Sequence, residues 1–191
     1  MEFDINNEEQ VLQATQAWLE NAVIGLNLCP FAKAPWQKQQ IRFVYCAATS
    51  EESLLQTLQE ELQLLAQADP AKIETTVLVH PLILHDFYAY NDFLELADQL
   101  LEDLELDGQL QIASFHPAYQ FADCHSEAID NYTNRSPFPS LHLLRESSID
   151  RAVAAFPDAA DIYEKNIATM RKLGHAGWQQ LDPYRNKKKA P

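Results

Sequence analysis

Two histidines in this chain sit in the same small signature. Val79-His80-Pro81 and Phe115-His116-Pro117 each close an apolar run of strand length. Proline cannot donate to a sheet ladder, so each signature marks the release of a strand into a loop, with the histidine at its carboxyl end. In an open parallel sheet that end is where ligands bind. If the two strands are neighbours, a spacing of about 4.8 Å sets the imidazoles side by side. Such a pair has three uses. One histidine can act as general base or acid, oriented by the groups around it. The two can hold a transition metal with a thiolate or carboxylate as third ligand. Or both can cap strand ends by hydrogen bonding to loop backbone. No HExxH or CxxC spacing favours the metal. Cys46 closes the first strand, on the same expected rim.

A second concentration of chemistry lies in Asn131 to Ser140, NYTNRSPFPS. Asn134, Arg135 and Ser136 put an amide, a guanidinium and a hydroxyl on successive residues, and Pro137 and Pro139 stiffen the backbone around Phe138. That set suits a carboxylate or phosphate, which arginine binds bidentately. The alternative is an Arg135 paired with one of the 28 Asp and Glu residues of the chain. His142 and Arg145, on the strand that follows, extend the same candidate ligand site, and His142 serves equally as packing. Cys29 precedes Pro30, which suits the first turn of a short helix. A thiol at a helix N-terminus is acidified toward the nucleophilic thiolate, with His80 or His116 as its base. Between Leu28 and Phe31 it can equally be a buried, inert residue. Asp123-Cys124-His125 offers further ligands of undetermined direction.

The elements that must position these residues are legible from periodicity. A helix starts at Asn7-Glu8-Glu9 and carries Val11, Ala14, Trp18, Ala22 and Leu26 at helical spacing; Cys29-Pro30 interrupts it, and Pro35 stops the short turn after it. Ile41 to Cys46 reads as a first strand. Thr49 and Glu52 have capping-box spacing before a helix with Leu54, Leu58, Leu62 and Leu65 on its buried stripe, ended by Asp69-Pro70. Thr75 to Val79 is a second strand. A helix with Tyr90, Leu94, Ala97, Leu101 and Leu104 on one face runs to Asp107-Gly108, and Leu110 to Phe115 is the third strand. Leu141 to Arg145 is the fourth, followed by a helix capped by Ser147 or Ser148 and another from Pro157 to a Gly174 stop. The expected fold is therefore α/β: a single domain over 1–186, with a four-stranded, mostly parallel sheet built from βαβ units and helices packed on it. A long loop, His116 to Ser140, joins the last two strands. It carries Tyr119, Phe121, Tyr132 and Phe138, which reads as an ordered, functional loop with a short helix near Glu127 to Tyr132.

With 191 residues, 47% of them hydrophobic, the chain has enough apolar surface for one well-buried core. Its formal charge of −14 argues against nucleic acid or an anionic membrane as main partner. Lys187, Lys188 and Lys189 form the only basic cluster, in a tail over 187–191. No apolar run approaches a membrane span, the N-terminus lacks signal-peptide character, and three widely spaced cysteines fit reduced thiols, so a cytoplasmic location is expected. With no GxGxxG or Walker loop, no nucleotide cofactor is indicated, and the cofactor and oligomeric state stay open.

Several blocks together resemble one protein family: GLNLCPFA (Gly25 to Ala32), LVHP (Leu78 to Pro81), YNDFL (Tyr90 to Leu94), IASFHPAYQFA (Ile112 to Ala122) and NYTNRSPFPSLHLLRESSIDRA (Asn131 to Ala152). The family is one of uncharacterised bacterial proteins catalogued as domain of unknown function 1415, and the resemblance spans roughly Glu9 to Leu173. The matching positions include Cys29, His80, His116, Asn134, Arg135, His142 and Arg145, whereas Asp123 to Ile129 lies between blocks. The resemblance implies no activity. The residues themselves point to an enzyme acting on a small anionic metabolite at the C-terminal rim of the sheet: Arg135, Asn134, Ser136 and Arg145 hold the anion, His116 or His80 moves protons, and Cys29 is a candidate nucleophile. The rival readings are a metal-binding protein using the strand-end histidines, and a non-enzymatic adaptor using the acidic helical faces and the Pro-Phe-Pro loop.

Overall fold

Four strands form one sheet in the order β1-β2-β4-β3: β1 Ile41–Tyr45, β2 Thr75–Val79, β3 Leu110–Phe115 and β4 Ser140–Arg145. The computed structural model describes residues 3–155 and 161–181; the expected helix start at Pro157 and the basic tail over 187–191 lie outside the described residues. β1 and β2 pair in parallel, but β4 lies between β2 and β3 and is antiparallel to both. The sheet is thus mixed, which corrects the expected mostly parallel arrangement. The long loop after β3 turns the chain back, so β4 pairs beside β3 and takes the neighbour position on β2 as well. β2 and β3 stay parallel to each other yet are two strand spacings apart, about 10 Å.

Side-chain alternation divides the sheet into two faces. Leu78, Leu110, Leu141 and Leu143 pack with helices α3 (Glu51–Gln67) and α4 (Phe87–Asp103) through Leu54, Leu58, Leu62, Leu65, Tyr90, Phe93, Ala97 and Leu101. The other face packs against α1 (Glu8–Trp18), which continues into a wider π-helical turn, Leu19–Ile24. There Val11 meets Val77 and Val79, and Ile41, Phe43 and Phe115 pack against Trp18, Leu19, Ala22 and Val23.

Local chemistry explains where the helices begin. Asn7 caps α1 by accepting the Gln10 N–H at 3.0 Å, and Asp86 caps α4 by accepting those of Tyr88 and Ala89. The capping box of α3 is Ser50 with Ser53, one residue beyond the expected Thr49 and Glu52. Pro35 does not stop the short helix α2 (Lys33–Gln37); it sits in its first turn, where no N–H is needed. α5 (Glu146–Ala155) starts directly from β4 ahead of Ser147 and Ser148. In α6 (Ile162–Leu181) Gly174 adopts φ 63°, ψ 174° and breaks the helix, which then resumes.

The loop from His116 to Pro139 is held by its own polar groups. The fully buried Asn131 accepts the Phe121 N–H at 3.0 Å and donates to the carbonyls of His125 and Ser126 at 2.8 and 3.2 Å. Asp130 receives Arg171 of α6 bidentately at 3.0 and 2.7 Å. Both residues flank or lie in a 3₁₀ turn, Ile129–Thr133, where the sequence suggested a short helix.

Candidate functional site: the strand-end histidines and the Arg135 loop

His80 and His116 both point to the α4 side of the sheet and both are fully buried. They do not touch each other. With β4 between their strands, the gap is filled by the ring of Tyr90, which stacks on His80 at 5.8 Å and lies 5.0 Å from His116. The Tyr90 hydroxyl donates to the Ser140 carbonyl at 2.8 Å and accepts the Phe115 N–H at 3.2 Å, so it bridges the ends of β4 and β3. Burial raises the Tyr90 pKa far above the ordinary phenol value, and the group serves as a neutral hydrogen-bonding tie.

Each histidine is anchored by the loop between β2 and α4. His116 Nε2 donates to the Leu84 carbonyl at 3.0 Å, and Nδ1 accepts the Ala118 N–H at 3.0 Å, which fixes one tautomer and uses both ring nitrogens. Leu84 itself adopts φ 59°, the left-handed region, to present that carbonyl. His80 has the opposite tautomer. Its Nδ1 faces the Ile83 carbonyl at 3.4 Å, and Nε2 is buried without a hydrogen-bond partner among the described residues. Desolvation lowers the His80 pKa to about 4, outweighing the Ile83 carbonyl. Desolvation also lowers that of His116; the Leu84 carbonyl and Asp86 oppose it, while His85 and Arg135 add to it. Both imidazoles are neutral near pH 7.

The remaining nominated residues do not converge on this pair. His142 is on the opposite face, its ring 6.2 Å from that of Phe115. The Thr75 hydroxyl donates to the Leu143 carbonyl, so His142 Nε2 must be the donor in its 2.6 Å bond to Thr75 Oγ1. Burial lowers the His142 pKa to about 4. Arg145 stands at the far end of antiparallel β4, where Nη2 donates to the carbonyls of Leu65, Ala68 and Ile73 at 2.6, 2.8 and 3.2 Å and closes the C-terminus of α3. Cys29 packs on the α1 side against the Trp18 cluster. Burial raises its thiol pKa and the amides of Phe31 and Ala32 only partly offset that, so the thiol form prevails. A sheet therefore separates Cys29 from both expected bases. Cys46, by contrast, lies in the core on the α3 face, where its N–H donates to the Val79 carbonyl next to His80 at 2.8 Å.

In the loop, Asn134 has a definite task. Its carbonyl accepts the His116 N–H at 3.3 Å and its Nδ2 donates to the Ser114 carbonyl at 3.5 Å, covering the outer edge of β3 as a strand residue would. Ser136 Oγ donates to the Phe138 carbonyl, which Ser140 Oγ also uses. Arg135 Nε donates to the Tyr119 carbonyl at 3.2 Å and Nη2 to the Ser126 carbonyl at 2.7 Å, and the guanidinium lies over the Tyr132 ring at 4.3 Å. No carboxylate pairs with Arg135 among the described residues. Among those residues, too, no group of three or more His, Cys, Asp or Glu is arranged to hold a metal ion, and no helix is long and apolar enough to cross a membrane.

Sequence reasoning missed Tyr90, which reads as one more apolar position in a helical stripe, and Asn131. The available signal for the first was the phenol itself, since a buried tyrosine hydroxyl requires a partner. No curated protein and no solved structure matches the chain. The family model described as "Protein of unknown function (DUF1415)" matches residues 10–180, and the chain belongs to that family.

Proposed function

We propose that this protein binds a small carboxylate or phosphate, with Arg135 as the anion-holding residue beside the ends of β2 and β3. The observation that carries the reading is a part-buried guanidinium in a strongly acidic chain with no carboxylate partner among the described residues. Two backbone carbonyls and the Tyr132 ring orient it through Nε and Nη2, and among the described residues no hydrogen bond uses Nη1. A fixed fork of this kind binds an oxyanion with little further loss of side-chain freedom. If the bound molecule is also a substrate, His80 Nε2 is the imidazole nitrogen that remains uncommitted at the rim.

The test is thermal unfolding with a panel of small carboxylates and phosphates, on wild type and Arg135→Gln. A ligand at about ten times its Kd stabilises the native state by about 1.4 kcal/mol, which raises Tm by about 3–6 °C in a chain of this size. The substitution removes loop hydrogen bonds and lowers the baseline, so the readout is the ligand-induced shift in each protein. The expected result is a shift in wild type that Arg135→Gln loses. An equal shift in both proteins puts the anion elsewhere, and no shift across the panel removes the reading.

A further inference from the structure

The two edges of the sheet are treated differently. In β1 the Gln40 carbonyl accepts from Glu74 and Thr75, and the Cys46 N–H donates to the Val79 carbonyl. Alternation along a strand then turns the backbone groups of Arg42 and Val44 toward β2 and those of Ile41, Phe43 and Tyr45 outward. No described residue bonds to those outward N–H and C=O groups. The edge at β3 is instead covered at its two ends: Asn134 takes the Ser114 carbonyl and the His116 N–H, and the Leu110 N–H goes to the Leu106 carbonyl, which leaves only the outward groups around Ile112 without a bonded partner among the described residues. Natural sheets cover, charge or distort their exposed edges. β1 carries no proline or bulge, and its one charge, Arg42, is engaged by Glu61 at 2.8 and 3.0 Å on the α3 face.

We propose that this chain self-associates by antiparallel pairing of β1 with β1 of a second copy, joining two four-stranded sheets into one of eight. The outward parity allows a two-fold axis at Phe43. Phe43 then opposes Phe43 of the other copy and Ile41 opposes Tyr45, and each of these is a pair that can exchange both backbone hydrogen bonds. Arg42 opposes Val44, so no like charges meet along the strand. Ile41 and Phe43 also line a shallow groove with Trp36, whose ring meets Phe43 edge-on at 6.2 Å, and with Gln16, Gln37 and Gln39, so a surface of apolar rings and uncharged amides adjoins the new pairing. The self-complementary apolar strand selects a second copy over a charged partner. Two bodies of charge −14 repel, so association strengthens as salt screens them.

Sedimentation velocity from about 1 to about 200 µM, at low and high salt, is paired with residue-resolved amide exchange on the wild-type chain. The expected result is a mass approaching twice the 21.8 kDa of one chain, with the Ile41, Phe43 and Tyr45 amides gaining protection as concentration rises. Phe43→Pro deletes an outward N–H while leaving the bonds to β2 in place, and is expected to remain a single chain. The exchange pattern is read on wild type and does not depend on that variant folding. A single-chain mass throughout overturns the proposal. So does a dimer in which those three amides exchange as in the monomer.

Discussion

Acidification tests the buried histidines directly. His80 has a folded pKa of about 4 against 6.5 for the free side chain, because burial disfavours the imidazolium. Between those values the unfolded chain binds the proton and the folded chain does not, so stability is full above pH 6.5 and falls as pH drops toward 4. Going from about pH 7.5 to about pH 5 costs about 2 kcal/mol from His80 alone, and the whole interval costs about 3 kcal/mol. His142, which burial also lowers to about 4, acts in the same direction on the other face, and His116 adds to both. The groups facing His80 are Tyr90 from α4, His85 and the Ile83 carbonyl from the β2–α4 loop, and His116 from the end of β3. None is a carboxylate that would hold the charged form. The assay is urea unfolding at the two pH values, for wild type and His80→Asn, which keeps a donor near the Ile83 carbonyl and deletes Nε2. Most carboxylates stay ionised at pH 5, and relief of the net negative charge is common to both proteins. Wild type should therefore lose about 2 kcal/mol more than the variant, at unchanged m. Equal losses would refute a neutral, desolvated His80.

Two substitutions probe the ties that hold the rim and the far end of the sheet. Tyr90→Phe removes the hydroxyl that joins Phe115 and Ser140. It should cost about 1–3 kcal/mol in urea unfolding and speed amide exchange at Phe115. Arg145→Met strips two carbonyls at the end of α3 and that of Ile73, just before β2, of their donor. It should cost about 3 kcal/mol while leaving any ligand-induced Tm shift intact, because Arg145 stands at the opposite end of β4 from the Arg135 loop.

Strand boundaries were readable because apolar runs end where proline or glycine ends them, and β2 and β3 fall at the expected residues. Strand adjacency was not readable. The run Ser140–Arg145 has no feature that tells an inserted antiparallel strand from one added at the edge, and the choice rests on how the loop folds. That loop depends on Asn131, whose buried amide looks like any turn residue in sequence. Face assignment failed for a related reason. His80 and His116 share a face because their strands run in parallel, but His142 and Arg145 occupy alternate positions on a reversed strand, so one falls on the α1 side and the other at the far end. The α3 cap slipped by one residue because Ser50 and Ser53 supply the same reciprocal hydroxyl bonds that Thr49 and Glu52 suggested.

The mixed sheet constrains what any single reaction centre here can use. Cys29 and His142 lie on the α1 side, and His80, Tyr90 and His116 on the α4 side, so no step can join the thiol to the strand-end imidazoles through a packed sheet. On the α4 side, His116 spends both nitrogens on backbone, and Asn134 and Ser136 spend their polar atoms on the β3 edge and the Phe138 carbonyl. Of the nominated site residues on this side, the Nη1 edge of Arg135 and Nε2 of His80 are then the polar groups that carry no hydrogen bond among the described residues. They differ in what they require. The guanidinium is oriented and part-exposed, so a ligand can reach it as the chain stands. Nε2 is fully buried beneath the β2–α4 loop, and a ligand reaches it only if that loop lifts and breaks the Ile83 and Leu84 carbonyl bonds to the two histidines. Binding at Arg135 therefore needs no rearrangement, whereas proton transfer at His80 needs the loop to give up the Leu84 carbonyl bond that holds His116.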